Sequence, residues 1–118
     1  MFVNFTNHPS THWSQEQLAA SSPYGAIIDI PFPQIDPMAS TEEIVSEARK
    51  YTALILKRKP DFVLCQGEFC MAYHVVRLLK EHGVVVGAAC SVRRVQERAG
   101  EDCTEKTVFY QFVRYREY

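Results

Sequence analysis

Three short polar clusters hold the residue types most able to do chemistry, and each follows an apolar run. They are Asn7-His8-Pro9-Ser10 with Thr11 and His12, then Gln66-Gly67-Glu68, then Ser91 with Arg93 and Arg94. His8 can act as a general acid or base or hold a phosphate, and it stands beside the hydroxyl of Ser10. Gly67 lets a backbone approach a ligand closely, and a helix starting just after it would aim amide hydrogens at a phosphate, a ribose or an adenine edge. Glu68, at the end of its strand, suits a nucleophile or base acting on a nucleoside or sugar phosphate. Arg93 and Arg94 suit a phosphate, because a guanidinium donates two parallel hydrogen bonds. Each cluster also has a plainer explanation: a turn histidine, a helix-capping serine, a tight glycine turn, and surface arginines paired with Glu97 or Glu101.

Several chemistries are excluded or left without residues. There is no GxGxxG or Walker lysine motif and no GxSxG nucleophile elbow. His74 and His82 lie eight residues apart and Cys65, Cys70, Cys90 and Cys103 form no CxxC pair, so no metal and no cofactor is assigned. Thirteen basic and fourteen acidic side chains leave a net charge of −1, which argues against wrapping duplex nucleic acid. The charge is uneven: residues 1–48 carry six carboxylates and no Lys or Arg, and the remainder carries thirteen basic and eight acidic groups. The first residues lack a basic signal-peptide region and no apolar run approaches ~20 residues. The expectation is a cytoplasmic protein with buried free thiols and no membrane contact.

The elements that must position the clusters read as one domain of 118 residues. Phe2 to Thr6 alternates and predicts a strand. Ser10 or Thr11 predicts the cap of a helix through Trp13 to Ala20, ended by Pro23. Ala26 to Ile30 predicts a second strand, stopped by Pro31 and Pro33. Ser40 or Thr41 before Glu42 and Glu43 predicts a helix start, with Ile44, Ala48, Tyr51 and Ile55 on its inner face and Pro60 beyond its end. Asp61 to Gln66 predicts a strand buried on both faces, and Phe69 to His82 a helix with Met71, Val75, Leu78 and Leu79 inward and Gly83 at its C-terminal cap. Val84 to Ala89 predicts another strand. Val92 to Thr107 is polar and reads as a long loop or a short helix plus loop, before a last aromatic strand from Val108 to Tyr118 that pairs antiparallel with its predecessor. The expected architecture is α/β, a Rossmann-like three-layer sandwich with a mostly parallel sheet of about five strands and a C-terminal antiparallel strand. In such sheets ligands bind beyond the carboxyl ends of the strands, the edge to which all three clusters belong.

The stretches VNFTNHPS at 3–10, VLCQGEF at 63–69, ACSVRR at 89–94 and KTVFYQFVRYREY at 106–118 resemble the small α/β accessory proteins of type III CRISPR systems. The first loop is the sharpest part of the resemblance. That group is related in fold to domains that sense cyclic oligoadenylates. The resemblance implies a homodimer that binds a cyclic oligoadenylate across its two-fold axis and cleaves it as a metal-independent ring nuclease. Asn7, His8 and Ser10 would line the ligand, Gln66, Gly67 and Glu68 would contact ribose or phosphate, and Arg93 or Arg94 would stabilise charge. From the residues themselves, the aromatic last strand is a potential sheet edge, with Tyr110, Tyr115 and Tyr118 suited to a subunit interface. Two other readings stay open: a non-enzymatic interaction module, and a small nucleoside or sugar-phosphate transferase or hydrolase.

Overall fold

The computed structural model describes all residues, Met1–Tyr118. Five strands, β1 (Phe2–Phe5), β2 (Ile27–Asp29), β3 (Phe62–Cys65), β4 (Val86–Ala99) and β5 (Thr104–Glu117), form one sheet in the order β2-β1-β3-β4-β5. The first four run parallel and β5 returns antiparallel to β4. This is the expected α/β layering. The order 2-1-3-4-5 is that of doubly wound sheets whose winding reverses between β1 and β3.

Helices α2 (Thr41–Lys57) and α3 (Phe69–Glu81) cover one face of the sheet, and the short α1 (Gln15–Ser21) lies over the other. Alternation along the strands divides the core accordingly. Val3, Phe5, Val63, Cys65 and Val86 point to α2 and α3, where Ile44, Ala48, Ile55, Met71, Val75 and Leu79 meet them. Phe2, Phe62 and Leu64 point the other way, against Trp13, Tyr24 and Tyr115. Phe2 and Phe62 stack at 5.2 Å between centroids, and Trp13 meets Phe2 edge-on at 5.8 Å. β1 and β3 are buried along their whole length, as strands at the centre of a sheet covered on both faces must be, although β1 carries the polar Asn4.

The helix ends follow local chemistry. Ser40 accepts a hydrogen bond from the Glu43 amide and starts α2, and Gly83, at φ +74°, takes the left-handed position after α3. At α1 the expected cap moves. Residues Ser10–His12 form a single 3₁₀ turn, and Ser14 caps α1 by accepting from the Gln17 amide. Ser10 is unavailable as a cap because its side chain is held by Asp29.

The largest departure from expectation lies at 92–107. This segment is not a loop. β4 continues to Ala99, turns through Gly100–Cys103 and returns as β5, forming a two-stranded arm that projects beyond the helices and stretches the molecule to 55 Å. Beyond Ser91 nearly every arm residue is exposed on both faces, so neither side carries the apolar alternation that marks a half-buried strand. A bulge where Val113 has no partner, between the pairs Cys90↔Arg114 and Ser91↔Phe112, marks the arm's base. The thiols also differ from expectation. All four are free, but only Cys65 is buried, whereas Cys70 and Cys103 are exposed. No helix is long and apolar enough to cross a membrane.

Candidate functional site: the crevice beside β1 and β3

Where the winding reverses, the loops after β1 and β3 leave in opposite directions and open a crevice between them. The first of these loops is anchored by a polar residue inside the most buried strand. Asn4, 1% exposed, lies opposite Asp29 in the β1–β2 register. Its Nδ2 donates to Asp29 Oδ1 at 2.9 Å and to the His8 carbonyl at 2.8 Å, and its Oδ1 accepts from the Thr6 hydroxyl at 2.8 Å. Trp13 Nε1 also donates to the His8 carbonyl at 3.1 Å. Asp29 Oδ2 accepts from both the amide and the hydroxyl of Ser10, each at 3.1 Å. The β1–α1 loop is therefore fixed through its backbone, and the His8 ring is left exposed.

Two adjoining cavities open here. One of about 240 Å³ is bounded by Thr6, His8, Leu64, Gln66, Ala89 and Ser91. The other, about 520 Å³, runs from His8 and His12 past Ser91 to Tyr110 and Phe112 on the arm. They share His8, Trp13, Gln17 and Ser91, so together they make one groove between the first loop, α1 and the base of the arm. Beside the groove, Tyr115 donates from its hydroxyl to the Gln17 carbonyl at 3.3 Å, and burial pushes its phenol up to about 12.

The three clusters are thus only partly united. His8, Gln66 and Ser91 meet in the groove, with Gln66 Oε1 also accepting from the Ala89 amide at 3.0 Å. Asn7 is exposed on the loop and lines neither cavity. Gly67 borders a different cavity of about 310 Å³, with Phe69, Tyr73 and Tyr118 beside α3. Its missing side chain seats the Phe32 ring, since a Cβ there would lie 2.5 Å from two of the ring carbons.

Glu68 and Ser10 differ from their expected catalytic roles. Glu68 caps α3: its two oxygens accept from the Met71 amide at 2.8 Å and the Cys70 amide at 3.1 Å. The Met71 bond above all, helped by Cys70, holds the carboxyl below its ordinary range. The positive end of α3 is occupied by the protein's own carboxylate, which removes the phosphate position expected there. Ser10 donates to a carboxylate that also holds its amide, so it is an anchor of the loop.

Arg93 and Arg94 are not a pair. Both lie on the exposed arm, and successive strand residues face opposite sides. Arg93 lies on the same face of the arm as Ser91, Tyr110 and Phe112 through the pairs Ser91↔Phe112 and Arg93↔Tyr110, but it borders neither cavity. Arg94 lies behind it, where its Nε donates to Gln111 Oε1 at 3.3 Å. Sequence reasoning missed Asn4, Asp29, Trp13, Gln17 and Phe112 as parts of this site. The detectable signal was a polar residue in each of two adjacent apolar strands, Asn4 within FVNF and Asp29 at the end of IID.

Fold and crevice together define a small doubly wound α/β protein with an open groove at its switch point and a projecting β-arm. A family model, the Uncharacterized protein MJ1673 family, matches residues 1–116, and the chain belongs to that family. No curated protein and no solved structure matches it.

Proposed function

We propose that this protein binds a small nucleotide in the groove between the β1–α1 loop and the base of the arm. The observation that carries the reading is the joining of two cavities at the switch point, lined by groups of complementary kinds. Trp13, Tyr110 and Phe112 offer rings for a base to stack on, and His8, His12 and the neighbouring Arg93 offer donors for phosphate. Gln66 and Ser91 offer polar contacts between them. A binding role is better supported than a catalytic one, because Ser10 and Glu68, two of the three expected catalytic groups, are engaged in holding the fold. The narrower form, a cytoplasmic homodimer that binds and cleaves a cyclic oligoadenylate in antiviral signalling, rests on the resemblance of the first loop. A second reading, a non-enzymatic interaction module, draws on the exposed Val95, Val108 and Phe109 of the arm.

Thermal unfolding against mononucleotides, dinucleotides and cyclic oligoadenylates tests the proposal. A ligand at ~100 times its dissociation constant adds about 2.7 kcal/mol. Stabilisation should be weakened more by Arg93→Ala than by Arg94→Ala, because Arg93 shares the face of Ser91, Tyr110 and Phe112 whereas Arg94 is engaged by Gln111. Chromatography of the incubated ligand reads cleavage, which His8→Ala should abolish even when the ligand concentration is raised to restore binding. No response to any nucleotide overturns the proposal and favours the interaction module.

A further inference from the structure

The outer edge of β5 is a long row of backbone donors and acceptors with no strand beside it, since β5 ends the sheet order. Short edges, charges and bulges normally block such an edge. β2, at the other edge, is three residues long, but β5 runs for fourteen. Its centre, Thr107–Val113, contains no charge, proline or glycine, and Val108, Phe109, Tyr110 and Val113 are 43–71% exposed. A segment of that composition is a template for another strand.

We infer that the occupant is the β5 of a second copy, paired antiparallel about a two-fold axis at Phe109 to give a continuous ten-stranded sheet. Charge points to a second copy. Along the turn and the edge strand itself, the tip holds Glu101, Asp102 and Glu105 against Lys106, whereas the base holds Arg114 and Arg116 against Glu117. Antiparallel pairing lays the acidic tip of each copy along the basic base of the other.

The register follows from symmetry and charge. Opposed residues of an antiparallel ladder share a face, so a two-fold axis through the sheet must set one residue opposite itself. Centring on Tyr110 opposes Lys106 to Arg114, and centring on Gln111 opposes Glu105 to Glu117. Centring on Phe112 puts both Val113 bulges at the middle of the ladder. Phe109 gives the longest ladder that avoids all three, with Val108 against Tyr110 and Thr107 against Gln111. It also sets Lys106 of the partner subunit opposite Phe112, on the face that walls the groove. This deepens the dimeric part of the function proposed above and does not depend on the ligand.

Sedimentation equilibrium of the 13.5 kDa chain tests it without any ligand. Wild type should have twice the chain mass at micromolar concentration. Phe109→Glu and Phe109→Lys each set like charges face to face at the axis and should weaken association roughly 100-fold. Their equimolar mixture should recover the dimer mass as a heterodimer. Circular dichroism controls for folding, because Phe109 is exposed in the single chain. A monomeric wild type, or a Phe109→Glu variant that stays dimeric, overturns the inference. Failure of the mixture to recover overturns the register.

Discussion

Replacing Gly67 with alanine should destabilise the protein through one side chain, Phe32. The Gly67 backbone is not among those at positive φ, so alanine is conformationally acceptable there and by itself would stabilise by ~0.4–1 kcal/mol through the unfolded chain. The space is not acceptable. The new Cβ would sit 2.5 Å from Phe32 Cδ1 and Cε1 and 2.6 Å from Cε2, against an ordinary contact of ~3.5–4.0 Å. The ring must retreat by about 1 Å, but it is 4% exposed and already packed on Phe5 at 4.8 Å between centroids. Overpacking of that kind costs ~1–3 kcal/mol. The net loss is about 1–2 kcal/mol, or about 4 °C in Tm for each kcal/mol in a domain of this size. Urea unfolding should show a lower midpoint with an unchanged slope. In a Phe32→Ala background, itself less stable by ~3–5 kcal/mol, the same glycine substitution should become neutral or stabilising. An equal penalty in both backgrounds would refute the packing account and return Gly67 to the role of a tight turn.

The other expectations concern the loop anchor, the α3 cap and the thiols. Asn4→Ala should cost ~2–3 kcal/mol in chemical unfolding, since it removes a buried amide that holds Asp29, Thr6 and the His8 carbonyl together. Glu68→Gln should cost about 1 kcal/mol near neutral pH. Because the folded carboxyl titrates lower than the unfolded one, its stabilisation is complete above the ordinary carboxylate range and is lost as pH falls through the lowered value. The variant should therefore unfold with a weaker acid dependence. Toward an aromatic disulfide reagent, exposed Cys103 should react before Cys70, whose thiol is pushed up by its hydrogen bond to Glu68 and then by that carboxylate's charge. Glu68→Gln should quicken Cys70. Burial pushes the Cys65 thiol up to about 12, so it should react only on unfolding, and its share of stability should fade as pH rises from about 9 toward 12.

How far the sequence revealed this architecture depended on which forces placed each segment. α2 and α3 were legible because a single apolar stripe and a local cap decide them: Ile44, Ala48 and Ile55 behind Ser40, and Met71, Val75 and Leu79 ahead of Gly83. The central strands were legible before their turn residues, β3 as a continuous apolar run and β1 from its alternation. The arm was not, because its strands are held by pairing with each other, and a residue such as Arg94 or Gln96 signals neither a buried face nor a turn. The site was half legible. The carboxyl-end rule brought His8, Gln66 and Ser91 together, but it could not say that Glu68 folds back on its own helix or that strand alternation separates Arg93 from Arg94. Ser10 was misjudged for a related reason: its partner, Asp29, is nineteen residues away and reaches it only through the β1–β2 pairing.

The position of β1 has a consequence for synthesis. It lies at the centre of the parallel sheet, yet β3, which flanks its inner edge, ends only at Cys65. At ~5–20 residues per second on the ribosome, the sixty residues between Phe5 and Cys65 take roughly 3–12 s to appear. During that interval Phe2, Val3 and Phe5 have no sheet to enter on that side, whereas a hairpin such as the arm closes within ~1–10 µs once both of its strands exist. A nascent chain of this protein thus spends seconds with β1 unpaired on its β3 side, and this is the window in which a chaperone holding that strand would change its yield.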